Sequence, residues 1–293
     1  MTRNLFPRLL PLLFAAGCGV DPNALPELQD DNDRGANAGF TWDTTKLTAI
    51  PAGSIPAGRL GLAAFDTNTV ARMLINTNED FVQVQNAGGR IEMDSASFHH
   101  SSHLARGLVL AVSKLPEGPA SAQDEAALQS RALQRLQGWG IGSGELGAVW
   151  QRRLVGAGEE SGVRGAPARL AYKTFVNRAV LGVPVAGHRA VVTHGLDGSF
   201  RRALVKWPAL AAAGHLLHTQ LTTSQIKTRA TQLLGANRYT SGKVRLRWKY
   251  LATEGESGEA VLKLMVGARI VGPVDGDVAG EPEELDVDVS AVK

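Results

Sequence analysis

Cysteine is almost absent from this chain of 293 residues: Cys18 stands alone, so no intramolecular disulfide can form. Aromatic residues make up only 5%. No stretch of 18 uncharged apolar residues occurs, so the sequence offers no transmembrane helix. A phosphate-cradling Gly-Lys-Ser/Thr loop is missing, as is the Gly-x-Ser-x-Gly turn that presents a nucleophilic serine. What the chain does have is 33 Gly, 13 Pro and 44% hydrophobic residues. That is enough apolar material for a folded core, and so many turn formers suit short strands joined by tight loops. At roughly 150 residues per domain the length predicts about two domains.

The surroundings of Cys18 explain its isolation. Arg3 and Arg8 give a basic start, Leu9 to Ala16 an apolar stretch, and Ala15-Ala16-Gly17 a run of small residues ending at the cysteine. This is the pattern of a secretory signal, too short to span a membrane stably. Small residues directly before a cysteine resemble the bacterial lipoprotein signal, although Ala15 stands where most such signals carry Leu. The resemblance implies that residues 1–17 are removed and that Cys18 is lipidated. Gly19, where inner-membrane lipoproteins commonly carry Asp, implies outer-membrane sorting. From Gly19 to Thr45 the sequence is rich in Asp, Asn, Gly and Pro, a composition that cannot bury much apolar surface. The expectation is a disordered tether over 18–45, with a mean reach of about 30 Å.

The formal charge of +3 hides an asymmetry. Between Lys46 and Pro273 there are 27 Lys and Arg against 15 Asp and Glu. The acids concentrate before and after, at Asp30, Asp31, Asp33 and Asp43, and at Glu281, Glu283, Glu284, Asp286 and Asp288. A basic body suits lipid phosphates, acidic glycans or an acidic protein, and acidic ends can neutralise part of it. No basic–aromatic interleaving of the kind that binds nucleic acid is present.

Along the chain, residues 46–115 form a first α+β segment. Asp66-Thr67-Asn68-Thr69 caps a short helical pattern, and Phe81–Val84 and Gly107–Val112 read as strands. His99, His100 and His103 fall between those strands, where an exposed loop is expected. Pro116 to Ser121 marks a joint. Two copies of one plan then follow, over 122–208 and 222–293: a helix and then several strands. In the first copy, Ala126, Ala127, Leu133 and Leu136 recur at helical spacing and Gly138 ends the helix. Strands are expected at 147–155, 169–180, 188–193 and 199–206. In the second copy, Thr222 or Thr223 caps a helix through Ile226, Ala230, Leu233 and Leu234. Val244, Leu246, Trp248 and Tyr250 then alternate with Arg245, Arg247 and Lys249, a strand with one apolar and one basic face. Further strands are expected at 260–266 and 285–289. A helix feeding an antiparallel sheet, twice over, is an α+β arrangement.

Within the first copy, Phe175-Val176-Asn177-Arg178, Gly182-Val183-Pro184-Val185-Ala186-Gly187, Val191-Val192 and Asp197-Gly198 resemble the propeptides of thermolysin-type and fungalysin-type metalloproteases. Residues 222–289 resemble the PepSY module that follows in those propeptides. Trp207-Pro208 departs from that pattern, and no His-Glu-x-x-His occurs. The resemblance implies tandem PepSY/cystatin-like modules without a protease domain, acting as inhibitor or folding assistant of an exported peptidase.

Chemistry is weakly represented. His99, His100 and His103 can offer imidazoles to one ion, and His215 and His218 are spaced i, i+3 on an expected helical stretch. Zinc sites need three or four ligands with oriented neighbours, and no carboxylate stands at a recognised spacing. Gly142-Ser143-Gly144-Glu145-Leu146-Gly147 spells a dinucleotide-binding glycine pattern, but it follows a helix and leads into a strand, the reverse of what a phosphate needs. The basic stripe Arg245, Arg247 and Lys249 is the candidate partner contact. The leading expectation is a non-enzymatic lipoprotein, without cofactor, that binds a protein partner in the cell envelope. A metal-dependent hydrolase using His99, His100 and His103, and a structural lipoprotein binding acidic envelope polymer, are the alternatives.

Overall fold

A computed structural model describes residues 39–47, 55–57, 59–63, 79, 82–87, 89–103, 106–156, 159–160, 163–164, 168–210, 215–217, 221–254, 260–272 and 282–289. The signal segment, Cys18, the helix expected after Asp66 and His218 lie outside the described residues.

The chain runs through β1 (Phe40–Lys46), β2 (Ile55–Ala57), β3 (Arg59–Ala63), β4 (Val82–Ala87), β5 (Arg90–Asp94), β6 (Phe98–His103) and β7 (Leu108–Ser113). Helix α1 (Glu125–Gly138) leads through a 3-10 turn at Ser143–Glu145 into β8 (Leu146–Gly156). Two short strands, β9 (Glu159–Glu160) and β10 (Val163–Arg164), precede β11 (Ala168–Val180), β12 (Val183–His194) and β13 (Phe200–Lys206). Then come β14 (Pro208–Leu210), β15 (His215–Leu217), helix α2 (Thr223–Ala236), β16 (Gly242–Glu254), β17 (Ala260–Val271) and β18 (Glu283–Asp288). The fold class is α+β.

An antiparallel ladder in the order β8-β11-β12-β13-β7-β6-β5-β4 forms the α1 unit. Strands β4–β7, from the segment expected over 46–115, thus continue the sheet of the first helix-plus-sheet copy. Asp124 starts α1 by accepting from the Ala126 amide at 2.9 Å, which satisfies one of the orphan donors of the first turn. Leu128, Ala132 and Leu136 are the buried face of α1. The stripe therefore recurs every fourth residue, and Ala126, expected on it, is exposed. Ala132 and Leu136, with Trp139 and Ile141, pack on Val109, Val176, Ala190, Val192, Ala203 and Val205 of the sheet.

The α2 unit is centred on β16, which pairs antiparallel with β17, while β17 pairs with β18. Strand β3 also pairs with β17, and β14 pairs with β3. A capping box between Thr222 and Gln225 opens α2, whose Ile226, Ala230 and Leu234 bury against Val244, Leu246, Tyr250, Val266 and Ile270. Strand β1 pairs in parallel with β16 from Phe40 to Lys46, so the tether expected to run to Thr45 is ordered strand from Phe40 onward. The reason is Trp42, whose ring is 6% exposed within the α2 core; an apolar ring beside an open strand edge outweighs a polar local composition.

The two units meet at the β11–β12 hairpin. Leu181 and Gly182 both have positive φ, 50° and 79°, the geometry of a tight two-residue hairpin turn. Val180 and Val183, paired across that turn, insert with Val185 into the α2 core, and Val185 bridges to Tyr250.

Candidate functional sites on the two faces of the sheet

The three histidines weighed as candidate ligands of one ion do not converge. They lie on β6, a strand rather than an exposed loop. Alternation puts His99 and His103 on one face, with Ser101 between them, and His100 on the other. His100 is fully buried, and burial, aided by the charge of His99, pushes its pKa down to about 4. His99 instead faces Asp94 at 3.2 Å. His215 lies on β15, which pairs with β2, so that segment is extended and not helical. Among the described residues no three His, Cys, Asp or Glu side chains come together as a metal site.

The basic stripe of β16 is engaged from within the chain. Arg245 Nε meets Asp43 Oδ2 at 2.8 Å, Arg247 Nη2 meets Glu284 Oε2 at 2.8 Å, and Lys249 Nζ meets Glu284 Oε1 at 2.9 Å and also pairs with Asp286. Burial raises the Glu284 pKa, but Arg247 and Lys249 outweigh it and hold the carboxyl below its ordinary range. The positive charge expected to meet a partner is met by acids of β1 and β18.

The glycine-rich run Gly142–Gly147 serves a different end from phosphate binding. Its Glu145 reaches Arg178, which is fully buried, at 2.7 Å from Nη2, and also accepts from Trp207 Nε1 at 2.8 Å. Arg178 Nη1 donates to the Pro208 carbonyl at 2.6 Å and lies 3.5 Å from His188 Nδ1. Its guanidinium carbon is 5.5 Å from the Trp207 ring centre. Burial, with the charges of Arg178 and Lys206, pushes His188 down to about 3. This charge cluster ties the 3-10 turn before β8 to β11, β12 and β14.

Two surfaces of the α1 unit remain. The first is the face of the sheet opposite α1. Register places Trp150, Phe175, Val191, Leu204 and Leu110 side by side across β8, β11, β12, β13 and β7. Trp150 and Phe175 stack at 5.2 Å with planes 6° apart, and Leu204 is 37% exposed. Those five strands hold nine Lys and Arg and no Asp or Glu. Arg189, Arg202 and Lys206, all exposed, stand two residues along their strands from the apolar band and so share its face.

The second surface is a groove of about 550 Å³ where α1 passes over the β12–β13 turn. Arg131, Gln134 and Arg135 of α1 line one side, and Trp139, His194 and Phe200 the other. The Arg135 guanidinium carbon lies 4.2 Å from the Phe200 ring centre, and Arg131 Nη1 reaches the Gly198 carbonyl at 3.5 Å. His194 is 2% exposed, and its Nδ1 has no hydrogen-bond partner among the described residues. Burial, with the charges of Arg135 and Arg131, pushes its pKa down to about 4. Neither surface was singled out from sequence. The acid-free run from Ala168 to His194 was the available signal for the first; Arg131 and Arg135, one turn apart beside the apolar stripe, was that for the second.

The α+β fold was compared with known proteins. No family model matches the chain, and no curated protein matches it. Among solved structures it is similar to an uncharacterized protein from Eubacterium rectale, with 13% identity, covering 87% of this chain and 90% of that one at a TM-score of 0.47. It is also similar to the Bacillus megaterium YpeB C-terminal domain, with 11% identity, covering 76% of this chain and 91% of that one at a TM-score of 0.37.

Proposed function

We propose that this protein is a non-enzymatic binding protein of the bacterial cell envelope, anchored by lipid on Cys18, whose PepSY/propeptide-like units dock an acidic protein partner. An exported peptidase is the partner class that the propeptide-like turns suggest. One observation carries the reading: the face of the α1-unit sheet that no helix covers among the described residues, an apolar band beside Arg189, Arg202 and Lys206 on strands without a single acid. Exposed apolar surface next to one sign of charge fits a protein surface of opposite charge. Among the described residues neither helix covers this face, because α1 packs on the other side and α2 belongs to the second core.

A photo-crosslinking residue at Leu204, in the full chain expressed in its native envelope, tests this. The expected product is one acidic protein, lost when Arg189→Glu and Lys206→Glu are introduced. Crosslinking only to lipid or to glycan, or capture indifferent to those two substitutions, overturns the reading. Stoichiometric zinc in purified protein, lost on His99→Ala and His103→Ala, would favour the hydrolase alternative instead.

A further inference from the structure

The groove beneath α1 lies on the opposite side of the sheet from the face just discussed, and its chemistry is different. Two guanidinium groups one helical turn apart repel each other, at a cost of a few tenths of a kcal/mol. Each is held singly, Arg131 by the Gly198 carbonyl and Arg135 by the Phe200 ring, so among the described residues neither charge is neutralised by an acid at the hollow. Carboxylates at this end of the unit are engaged elsewhere. Asp124 caps α1, Glu125 pairs with Arg153, and Asp197 accepts from the amides of Ser199 and Gly118 at 2.9 and 2.7 Å. Among the described residues no Asp or Glu lines the groove. Arg135 is held by stacking on Phe200 and is half-buried, which orients its donors before any ligand arrives. His194, on the floor, sits neutral in a field of two positive charges with Nδ1 unpartnered.

We propose that this groove is a binding site for a carboxylate carried on a peptide segment, held between Arg131 and Arg135, with an apolar neighbour of the carboxylate lying on the half-buried Phe200. The volume, about 550 Å³, is in the range of small-ligand sites of roughly 300–1,000 Å³. A paired guanidinium fork recognises carboxylate and phosphate alike. The Phe200 ring distinguishes them, because it offers nothing to an inorganic ion and a contact area to an organic one. Removing one charged hydrogen-bond partner from such a site costs about 1.5–3 kcal/mol, or roughly 10- to 150-fold in affinity.

The site makes its own pH prediction. The charged or titratable groups facing His194 are Arg131 and Arg135 from α1 and Tyr172, its cross-strand neighbour on β11; β13 presents Phe200. An anion between the arginines cancels part of their field, so the His194 titration midpoint moves up when the groove is filled, and by linkage the anion binds more tightly as pH falls.

The test uses the full-length protein and two blocked tripeptides, acetyl-Leu-Glu-Leu-amide and acetyl-Leu-Gln-Leu-amide, with inorganic phosphate as a third probe. NMR follows the Gly198 amide and the His194 ring. The glutamate peptide should shift both resonances and raise the His194 midpoint, with at least tenfold tighter binding than either the glutamine peptide or phosphate. Arg131→Gln, an exposed position, and Arg135→Gln should each weaken it at least tenfold while the melting temperature of the Arg131 variant stays unchanged. Arg189→Glu with Lys206→Glu, on the far face, should leave it untouched, which separates failure here from failure of the proposed docking face. Equal binding of the two peptides, tighter binding of phosphate, or indifference to Arg131→Gln would overturn the assignment.

Discussion

Both units take cations out of water, and they do so in opposite ways. The α1 unit places one arginine, Arg178, fully inside and pairs it with Glu145 and the Pro208 carbonyl, with the Trp207 ring 5.5 Å away and Nε left without a hydrogen-bond partner among the described residues. The α2 unit spreads Arg245, Arg247 and Lys249 along one strand and meets them from both sides with Asp43, Glu284 and Asp286. The first arrangement is stable only while every partner is present, because an unpaired buried charge carries most of its desolvation penalty. The second shares several pairs of graded exposure, from the largely buried Lys249 and Asp43 to the more open Arg247–Glu284 pair, and the open one is worth little by itself. A similar contrast holds for histidine: His100, His188 and His194 are all buried on the α1-unit sheet.

The largest expected effect is on acid stability. In the unfolded chain a histidine titrates near 6.5; in the folded α1 unit the three are lowered to about 4, 3 and 4. The unfolded chain therefore holds more protons below pH 6.5, and stability falls as pH drops from 6.5 towards 4. Each histidine contributes about 1.4 kcal/mol per pH unit within its window. Carboxyls of the α2 unit, Asp43 and Glu284, are also lowered, so their contribution is present above about pH 4.5 and lost only below it. Urea titrations from pH 7 to pH 4 should show a steep loss that shrinks by about one proton in His188→Gln. A flat profile above pH 5 would break the contrast between the units.

Next in size is Glu145→Ala. It strands Arg178 and should cost about 3 kcal/mol, the lower part of the range for a broken buried pair, since the Glu145 side chain is 34% exposed. Arg178→Met should cost less, because it removes the charge together with its penalty. Urea midpoints of the two variants decide the matter, and Arg178→Met proving the more damaging would contradict it. Smallest is Arg247→Gln, which leaves Glu284 paired with Lys249. The Arg247–Glu284 pair is 37% and 31% exposed, so about 1 kcal/mol or less is expected, with a loss that fades further in 1 M salt.

Much of this was readable in the chain. The period-two strand at Val244–Tyr250, both helices, the Thr222 cap of the second and the Asp197-Gly198 turn declare themselves through local chemistry; the Asp124 cap of the first helix was not read. The outer histidines misled because spacing alone cannot say whether a segment is strand or loop, and in a strand adjacent side chains part to opposite faces. The stripe on β16 misled for another reason: its acids lie about 200 residues earlier, at Asp43, and 35 or more later, at Glu284 and Asp286. The buried role of Glu145 was hidden in the same way, since Arg178 and Trp207 become its neighbours only when β11 and β14 close over the 3-10 turn.

By itself, then, the sequence determined the local elements and the charge imbalance, because helix caps, two-residue turns and alternation act over a few residues. Tertiary structure decided which cations are neutralised, which histidines are dry, and that β1 and β4–β7 complete the two sheets. Those outcomes depend on strand pairing between distant segments, whose register no short-range pattern specifies.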